Sequence, residues 1–305
     1  MESVMDATTL RHLARQLVRE LGMLDHQCGQ LDLTPVQVHA LLEIEQDPLT
    51  VNQLAERLNV DKSNASRTNA SLNNAGLLHT ISDPNDGRKQ ISQLTTKGQA
   101  VLETLNVGLN QQVEQFLSQL DHDEITALAT SLHRYSRAIQ CTKQQQGYLL
   151  RPRTPLDNAA MATIVRRVSA EYNLMPDQGY DTADPTLDSF STTNTDDDSA
   201  FWVIERNNRI LGGGGIAPLI GEPGICELQK MYFLPELRGR GLARRLAVTA
   251  LKFARQHGFH GCYLEVTENR TEAITLYESL GFIHISQAMG TAGDDIGKIK
   301  MFKTL

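Results

Sequence analysis

Two domains are predicted, a mainly α unit followed by an α/β unit, and three observations carry the prediction. The chain has 305 residues, more than one hydrophobic core usually serves, so two units of roughly 100 to 200 residues are expected. Through the first half, apolar residues recur at helical spacing with almost no strand-like run. In the second half, helical segments alternate with β-branched and aromatic runs such as AFWVIE, ICELQKMYF and GCYLEVTE, the pattern of an α/β layer. Between them CTKQQQG ends the helical pattern in a glutamine run and Gly147. The boundary therefore falls near residues 144–147, with domains at 1–145 and 148–305.

Composition narrows the class. Hydrophobic residues make up 40 % and charged residues 21 % of the chain, which excludes a disordered chain and allows a packed core. No apolar stretch approaches the roughly 18 to 20 residues that span a bilayer, and the opening residues mix charges into their apolar positions. Secretion and a membrane partner are not expected, and a cytoplasmic location is. Cys28, Cys141, Cys226 and Cys262 show no metal or redox spacing, and the nine histidines do not cluster, so reduced thiols and no metal are expected. Lys and Arg number 29 against 36 Asp and Glu, a net charge of −7, so nucleic-acid binding has to be argued from local residues.

In chain order, helices are expected over residues 10–28, 35–44, 51–58, 62–75 and 96–140. Thr34-Pro35-Val36-Gln37 and Thr50-Val51-Asn52-Gln53 both place a hydroxyl at the cap and an amide three residues on, the capping-box pattern. Asp61 caps the next helix, and the short link makes 51–58 and 62–75 a helix-turn-helix. In its second helix Ala65, Thr68, Asn69 and Leu72 share one face. The other face, with Lys62, Ser63, Ser66, Arg67 and Asn73, is short, polar and basic, as suits an element entering a major groove. The run HTISDPNDGRKQISQLTTKG reads as a hairpin whose turn-rich tip carries Arg88 and Lys89, which is a wing.

These stretches, from LTPVQVHALLEI to DPNDGRKQISQLTTKG, resemble the MarR family of winged-helix regulators, whose wing pattern D-x-R-x-x-x-x-x-L-T is met by Asp86, Arg88, Leu94 and Thr95. The resemblance implies a homodimer held by the first and last helices of this half, about 10–28 and 101–140, on a pseudo-palindromic double-stranded DNA operator. Lys62, Ser63, Asn64, Ser66 and Arg67 are then the recognition-helix contacts, and Arg88 is the wing arginine. Residues 1–145 hold 12 Lys and Arg against 17 Asp and Glu, so non-specific phosphate attraction should be modest and salt-sensitive.

The second half opens with a helix at 155–172, capped by Thr154, with Asp157 favouring its positive end and Leu156, Ala160, Ile164 and Val168 buried. Arg206-Asn207-Asn208-Arg209 reads as a hairpin turn. No helix and no lysine follow Gly212 to Gly215, so these glycines are read as strand residues leaving room for a close neighbour, not as a phosphate loop. Further on, an apolar strand ends at Pro235, a glycine- and arginine-rich turn follows, and a helix starts near Leu242. Backbone N–H groups around Gly239, Arg240, Gly241, Leu242 and Ala243, beside Arg238, make an anion site fit for a pyrophosphate.

The segment resembles the acetyl-coenzyme A motif of the GNAT acetyltransferases, Q/R-x-x-G-x-G/A, met by Arg238, Gly241 and Ala243 after ELQKMYFLP and followed by a helix closing in LYESLGF. The resemblance implies a GNAT fold whose mixed sheet splays between two central strands. It also implies acetyl-CoA as cosubstrate, with backbone groups of Met231 and Phe233 on the pantetheine arm and Asn269 and Tyr277 near its thiol end. The implied chemistry is attack of a neutral amine on the thioester. Tyr277 is its acid; Glu227 is the first choice of base and Glu265 the second, each open to a plain surface or salt-bridge role. The acidic run of Glu171, Asp177, Asp181, Asp184 and Asp188 favours a small cationic amine acceptor, a polyamine or agmatine. An amino acid or a protein lysine stays open as acceptor. The rival function is a regulator whose second half only senses acetyl-CoA.

Overall fold

The computed structural model describes residues 6–23, 32–84, 86–172, 197–290 and 298–305. The chain divides into two compact units, Met1–Ala129 and Thr130–Leu305.

Helices α1 (Ala7–Glu20), α2 (Pro35–Gln46), α3 (Val51–Leu58) and α4 (Lys62–Asn74) precede a hairpin of β1 (Leu78–Ser82) and β2 (Gln90–Leu94), then α5 (Thr96–Leu117) and α6 (His122–Gln144). Both capping boxes form: Thr34 and Thr50 each accept the amide three residues on, at 3.3 Å, and the Gln37 and Gln53 side chains return to the cap amides at 2.7 and 2.9 Å. Leu33, Val38, Leu41, Ile44, Leu54, Leu72 and Leu102 make the core of this unit. A bridge between Leu49 and Ser92 adds a third short edge to the wing.

Two helix expectations are corrected. The segment 96–140 is not one helix, because the chain breaks at residues 118–121 and restarts where the Asp121 carboxylate accepts the Glu124 amide at 2.8 Å and Glu124 returns the bond at 2.9 Å. The first helix starts earlier than residue 10, at an Asp6 cap that accepts the Thr9 amide, and ends at Glu20. Cys28 and residues 24–31 lie outside the described residues.

The second unit is a seven-stranded mixed sheet in the order β3-β4-β5-β6-β7-β9-β8, built from β3 (Leu149–Pro152), β4 (Ala200–Arg206), β5 (Arg209–Pro218), β6 (Ile225–Phe233), β7 (Gly261–Thr267), β8 (Ile283–Ile285) and β9 (Lys298–Thr304). The later part of α6, from Thr130, with helices α7 (Asn158–Glu171), α8 (Leu242–Gln256) and α9 (Thr271–Ser279), completes it. The tight turn between β4 and β5 puts Asn207 and Asn208 at φ 51° and 60°, as a two-residue hairpin with right-handed twist requires. Strands β6 and β7 pair in parallel only from Ile225 to Glu227 and then separate, which is the expected splay.

The start of α7 differs from expectation. Pro155–Asp157 forms a tight 3-10 turn and the α-helix begins at Asn158, so Leu156 is 94 % exposed instead of buried. Asp157 turns inward, accepting the Thr154 amide at 2.8 Å and both Arg151 terminal nitrogens at 2.7 and 2.9 Å. Its carboxyl is held well below the usual carboxylate range, first by Arg151 and then by Thr154. Ile164 and Val168 are buried as expected.

Candidate functional site

On the first unit, α4 begins where the Asp61 carboxylate accepts the Asn64 amide at 2.8 Å. Ala65, Thr68, Asn69 and Leu72 face inward, and Lys62, Ser63, Ser66 and Arg67 are exposed with Asn64 half-buried beside them. The predicted recognition face is therefore outward. At the wing tip Arg88 is 91 % exposed and donates to Asp86 at 3.0 Å, with Lys89 at 3.6 Å from the same carboxylate. Arg88, ahead of Lys89, holds the Asp86 carboxyl below its usual range.

On the second unit, the end of β6 leads through a 3-10 turn at Pro235–Leu237 to α8, whose cap is Gly241 at φ +70°. Gly241 offers no capping side chain and the first turn of α8 carries no acid. The helix N-terminus with its outward N–H groups is thus left to an anion. A side chain at Gly241 would be strained in this left-handed backbone, and its Cβ would stand 2.7 Å from the Cys141 sulfur. The turn is braced by Gln145, which donates to the Arg240 carbonyl at 3.1 Å. Arg238 pairs with Glu171 and donates to the Phe233 carbonyl, while Arg240 donates to the Glu236 carbonyl.

These residues line a groove of about 490 Å³ that runs from Arg238, Gly239, Gly241, Leu242 and Ala243 past Met231 and Phe233 to Tyr277. Most of the predicted coenzyme residues come together there. Arg240 and Asn269 do not: Arg240 donates to the Glu236 carbonyl, and Asn269 is exposed with its amide donating to the Tyr172 carbonyl at 3.2 Å. Its neighbour Arg270 lines the groove in its place. Arg137 and Cys141, near the end of α6, were also missed as wall residues, since nothing in their local pattern points to a ligand.

A second cavity of about 270 Å³ opens between the separating strands, lined by Glu227, Lys230, Glu265, Thr267, Arg270 and Lys298 among others. Met231, Arg270, Ala273 and Tyr277 line both cavities, so the groove and the pocket meet there. The shape of this junction comes from a bulge. Between Gly213 and Gly215 of β5 the register on β6 gains one residue, and Lys230 takes φ +55°. Such a bulge re-aims the following side chain, and Met231 lies so close over β5 that a Cβ on Gly214 would fall 2.2 Å from its sulfur. The glycine run thus leaves room for close neighbours, as read from the sequence.

The three candidate proton carriers differ. Tyr277 is 7 % exposed; burial pushes its hydroxyl well above the usual tyrosine range, with the positive charge of Arg270 opposing the rise. Glu265 accepts from the Tyr263 hydroxyl at 2.7 Å, pairs with Lys298 at 3.4 Å and lines the pocket. Glu227 sits where β6 parts from β7 and lines the pocket. Of the acidic run, Glu171 is engaged by Arg238, and Asp177, Asp181, Asp184 and Asp188 lie outside the described residues. Cys226 and Cys262, distant in sequence, are register partners on β6 and β7, and both are buried free thiols. Among the described residues no three His, Cys, Asp or Glu side chains group to hold a metal, and no helix is long and apolar enough to cross a membrane.

The profile described as Acetyltransferase (GNAT) family matches residues 166–282, and that of the MarR family matches residues 31–89. The chain is 50 % identical over 161 residues to the Escherichia coli (strain K12) protein named Uncharacterized N-acetyltransferase YjgM, covering 52 % of this chain and 96 % of that one. It is 34 % identical over 94 residues to N-acetyltransferase 8B of Homo sapiens, covering 30 % of this chain and 41 % of that one, less than half the relative's length. The structure of yncA from Salmonella typhimurium, solved with its cofactor acetyl-CoA, matches with a TM-score of 0.43 at 23 % identity over 52 % of this chain and 94 % of that one.

Proposed function

The chain belongs to the acetyltransferase (GNAT) family, with an N-acetyltransferase domain that uses acetyl-CoA and a MarR-family domain before it, and on that premise we propose a dimeric DNA-binding regulator that also acetylates a small primary amine. The domains are taken as 1–145 and 148–305. One observation carries the enzyme reading over that of a mere acetyl-CoA sensor: a second pocket adjoins the coenzyme groove and shares Tyr277 and Arg270 with it. A sensor needs only the groove.

In this reading the coenzyme phosphates take the N-terminus of α8 beside Arg238 and Arg240, and backbone groups of Met231 and Phe233 hold the pantetheine arm. Glu227, directly or through a water, takes the proton of the acceptor ammonium. The amine nitrogen then bonds to the thioester carbonyl carbon, the carbon–sulfur bond breaks, and the second nitrogen proton, lost as the amide forms, replaces through water the one that Tyr277 gives up. Tyr277 donates to the departing sulfur; the burial that keeps its phenol protonated also raises the basicity of a thiolate formed against it, which favours the transfer. Of the acidic run that suggested a polyamine or agmatine, Glu171 is engaged by Arg238, and the acceptor's charge is argued below from the pocket itself.

The dimer is supported by apolar stripes. Leu10, Leu13 and Leu17 on α1, with Leu21 at its C-terminal cap, are 42 to 48 % exposed at successive turns, and Leu128, Leu132, Tyr135 and Ile139 repeat this on α6. Such stripes call for burial against another chain. Lys62, Ser63, Asn64, Ser66 and Arg67 face the major groove of each half-site, and Arg88 faces the backbone or minor groove beside it.

A thiol-release screen over diamines, agmatine, amino acids and lysine peptides tests the enzyme reading. Turnover with at least one acceptor is expected; acetyl-CoA binding without any turnover would leave only the sensor. Double replacement of Arg238 and Arg240 by Ala should weaken acetyl-CoA binding about tenfold, measured by calorimetry.

A further inference from the structure

We infer that the acceptor carries a carboxylate beside its amine, and that the Nε–Nη2 edge of Arg270 receives that carboxylate; the inference rests on the acetyltransferase reading. Arg270 caps α9, and its guanidinium lies over two tyrosine rings, 5.0 Å from that of Tyr172 and 4.8 Å from that of Tyr232. Its Nε and Nη2 are buried and have no hydrogen-bond partner among the described residues. A buried donor left unpaired costs free energy, more so when charged, so a site that keeps one is a site for a ligand that pairs it.

The geometry of the unpaired edge selects the ligand. Nε and Nη2 carry parallel N–H groups on one side of the guanidinium plane, the fork that matches the two oxygens of a carboxylate. A thioester offers one neutral carbonyl oxygen and matches half of it. The coenzyme phosphates are assigned to the α8 turn at Arg238 and Gly241, residues that line the groove and not the pocket, whereas Arg270 stands at the junction with Tyr277. Thr267 supplies a second, independent sign. It is 8 % exposed, its hydroxyl has no partner among the described residues, and it lines the same pocket.

Charge agrees with this assignment. Among the described residues the pocket is lined by two carboxylates, Glu227 and Glu265, and by three cations, Lys230, Arg270 and Lys298. A polyamine would bring two or more positive charges to a lining that is already net positive. An amino acid brings one charge of each sign, its ammonium for Glu227 and its carboxylate for Arg270.

The test compares the proteinogenic L-amino acids with their α-carboxamides, with agmatine and with spermidine, by thiol release from acetyl-CoA on the full chain. The best amino acid should exceed its own carboxamide in kcat/KM by at least tenfold. Arg270→Gln should lower that value at least tenfold, mainly through KM, and should lower the carboxamide's less, so that the preference for acid over carboxamide shrinks at least fivefold. Carboxamides, agmatine or spermidine turning over as well as the acids would overturn the inference and leave the acetyltransferase reading standing. An equal fall in kcat for every acceptor in Arg270→Gln would also overturn it, placing Arg270 on the thioester. If that variant unfolds, the wild-type comparison decides alone. Turnover with no acceptor, acetyl-CoA binding being intact, would remove both readings.

Discussion

Each unit holds an Arg–Asp pair, Arg88 with Asp86 on the wing and Arg151 with Asp157 at the entrance to α7, and the two pairs show how environment decides what the same side chains do. On the wing the arginine is 91 % and the aspartate 24 % exposed. At α7 the figures are 27 % and 8 %, and Arg151 also holds Glu205 at 2.7 Å. The wing pair is screened by water and salt and holds its geometry loosely. The α7 pair is bidentate, backed by the Thr154 amide, and ties β3 to the start of a helix. One pair leaves a cation at the surface for a partner, and the other fixes a scaffold.

The largest effect on stability expected from this contrast is at α7. Asp157→Ala leaves Arg151 with Glu205 alone and the Thr154 amide unpaired in a half-buried site, which should cost the second unit about 2 kcal/mol. Trp202, the sole tryptophan, is buried against Phe253 in that unit, so its fluorescence in a urea titration reports the loss. Asp157 titrates lower in the folded than in the unfolded chain, so its stabilisation is complete above about pH 5 and fades as pH falls below about 4. The gap between wild type and variant should therefore narrow in acid; a gap independent of pH would mean that packing, not charge, is lost.

Next comes the buried side of the contrast at the site. Tyr277→Phe should lower kcat about 100-fold, or about 2.7 kcal/mol, with acetyl-CoA affinity unchanged. Because burial holds the phenol protonated past the usual tyrosine range, the ratio of wild-type to variant kcat should stay level from pH 7 to 9.5. A ratio that shrinks toward pH 9.5 would place Tyr277 in its ordinary range and in contact with water.

The two regions were also unequally legible in the sequence. Helix starts in the first unit are local events, so Thr34 with Gln37 and Thr50 with Gln53 announced themselves, and the outward face of α4 followed from helical spacing. The break before α6 carried the same kind of signal, Asp121 with Glu124, inside a long apolar periodicity that masked it. In the second unit the coenzyme turn was readable because Arg238, Gly239, Arg240 and Gly241 are consecutive. The second cavity was not, since it depends on a bulge at Lys230 and on Tyr172 and Tyr232 meeting Arg270 from other elements. One residue of offset separates Asn269, which points to a backbone carbonyl, from Arg270, which reaches the junction; only the tertiary fold distinguishes them.

Returning to the exposed side, Arg67→Ala removes an outward recognition-helix cation and should weaken operator binding about tenfold while relaxing sequence choice, as loss of a base contact does at about 1 to 3 kcal/mol. Gel shifts on a matched and a point-substituted operator separate the two effects. Equal weakening on both would reassign Arg67 to a phosphate.

The smallest effect belongs to the wing pair. Asp86→Ala removes the carboxylate that engages both Arg88 and Lys89, and it removes a negative charge from an element expected beside phosphates. Melting of the first unit should not change measurably, because exposed pairs add little to stability. Operator affinity should rise about two- to fivefold, evenly across sequences, and the salt dependence should steepen by about one unit of log–log slope per wing as the released cation displaces a counterion. A fall in affinity would reverse the reading: Asp86 would then be orienting Arg88 for docking, and the wing pair would resemble the α7 pair in holding a geometry despite its exposure to water.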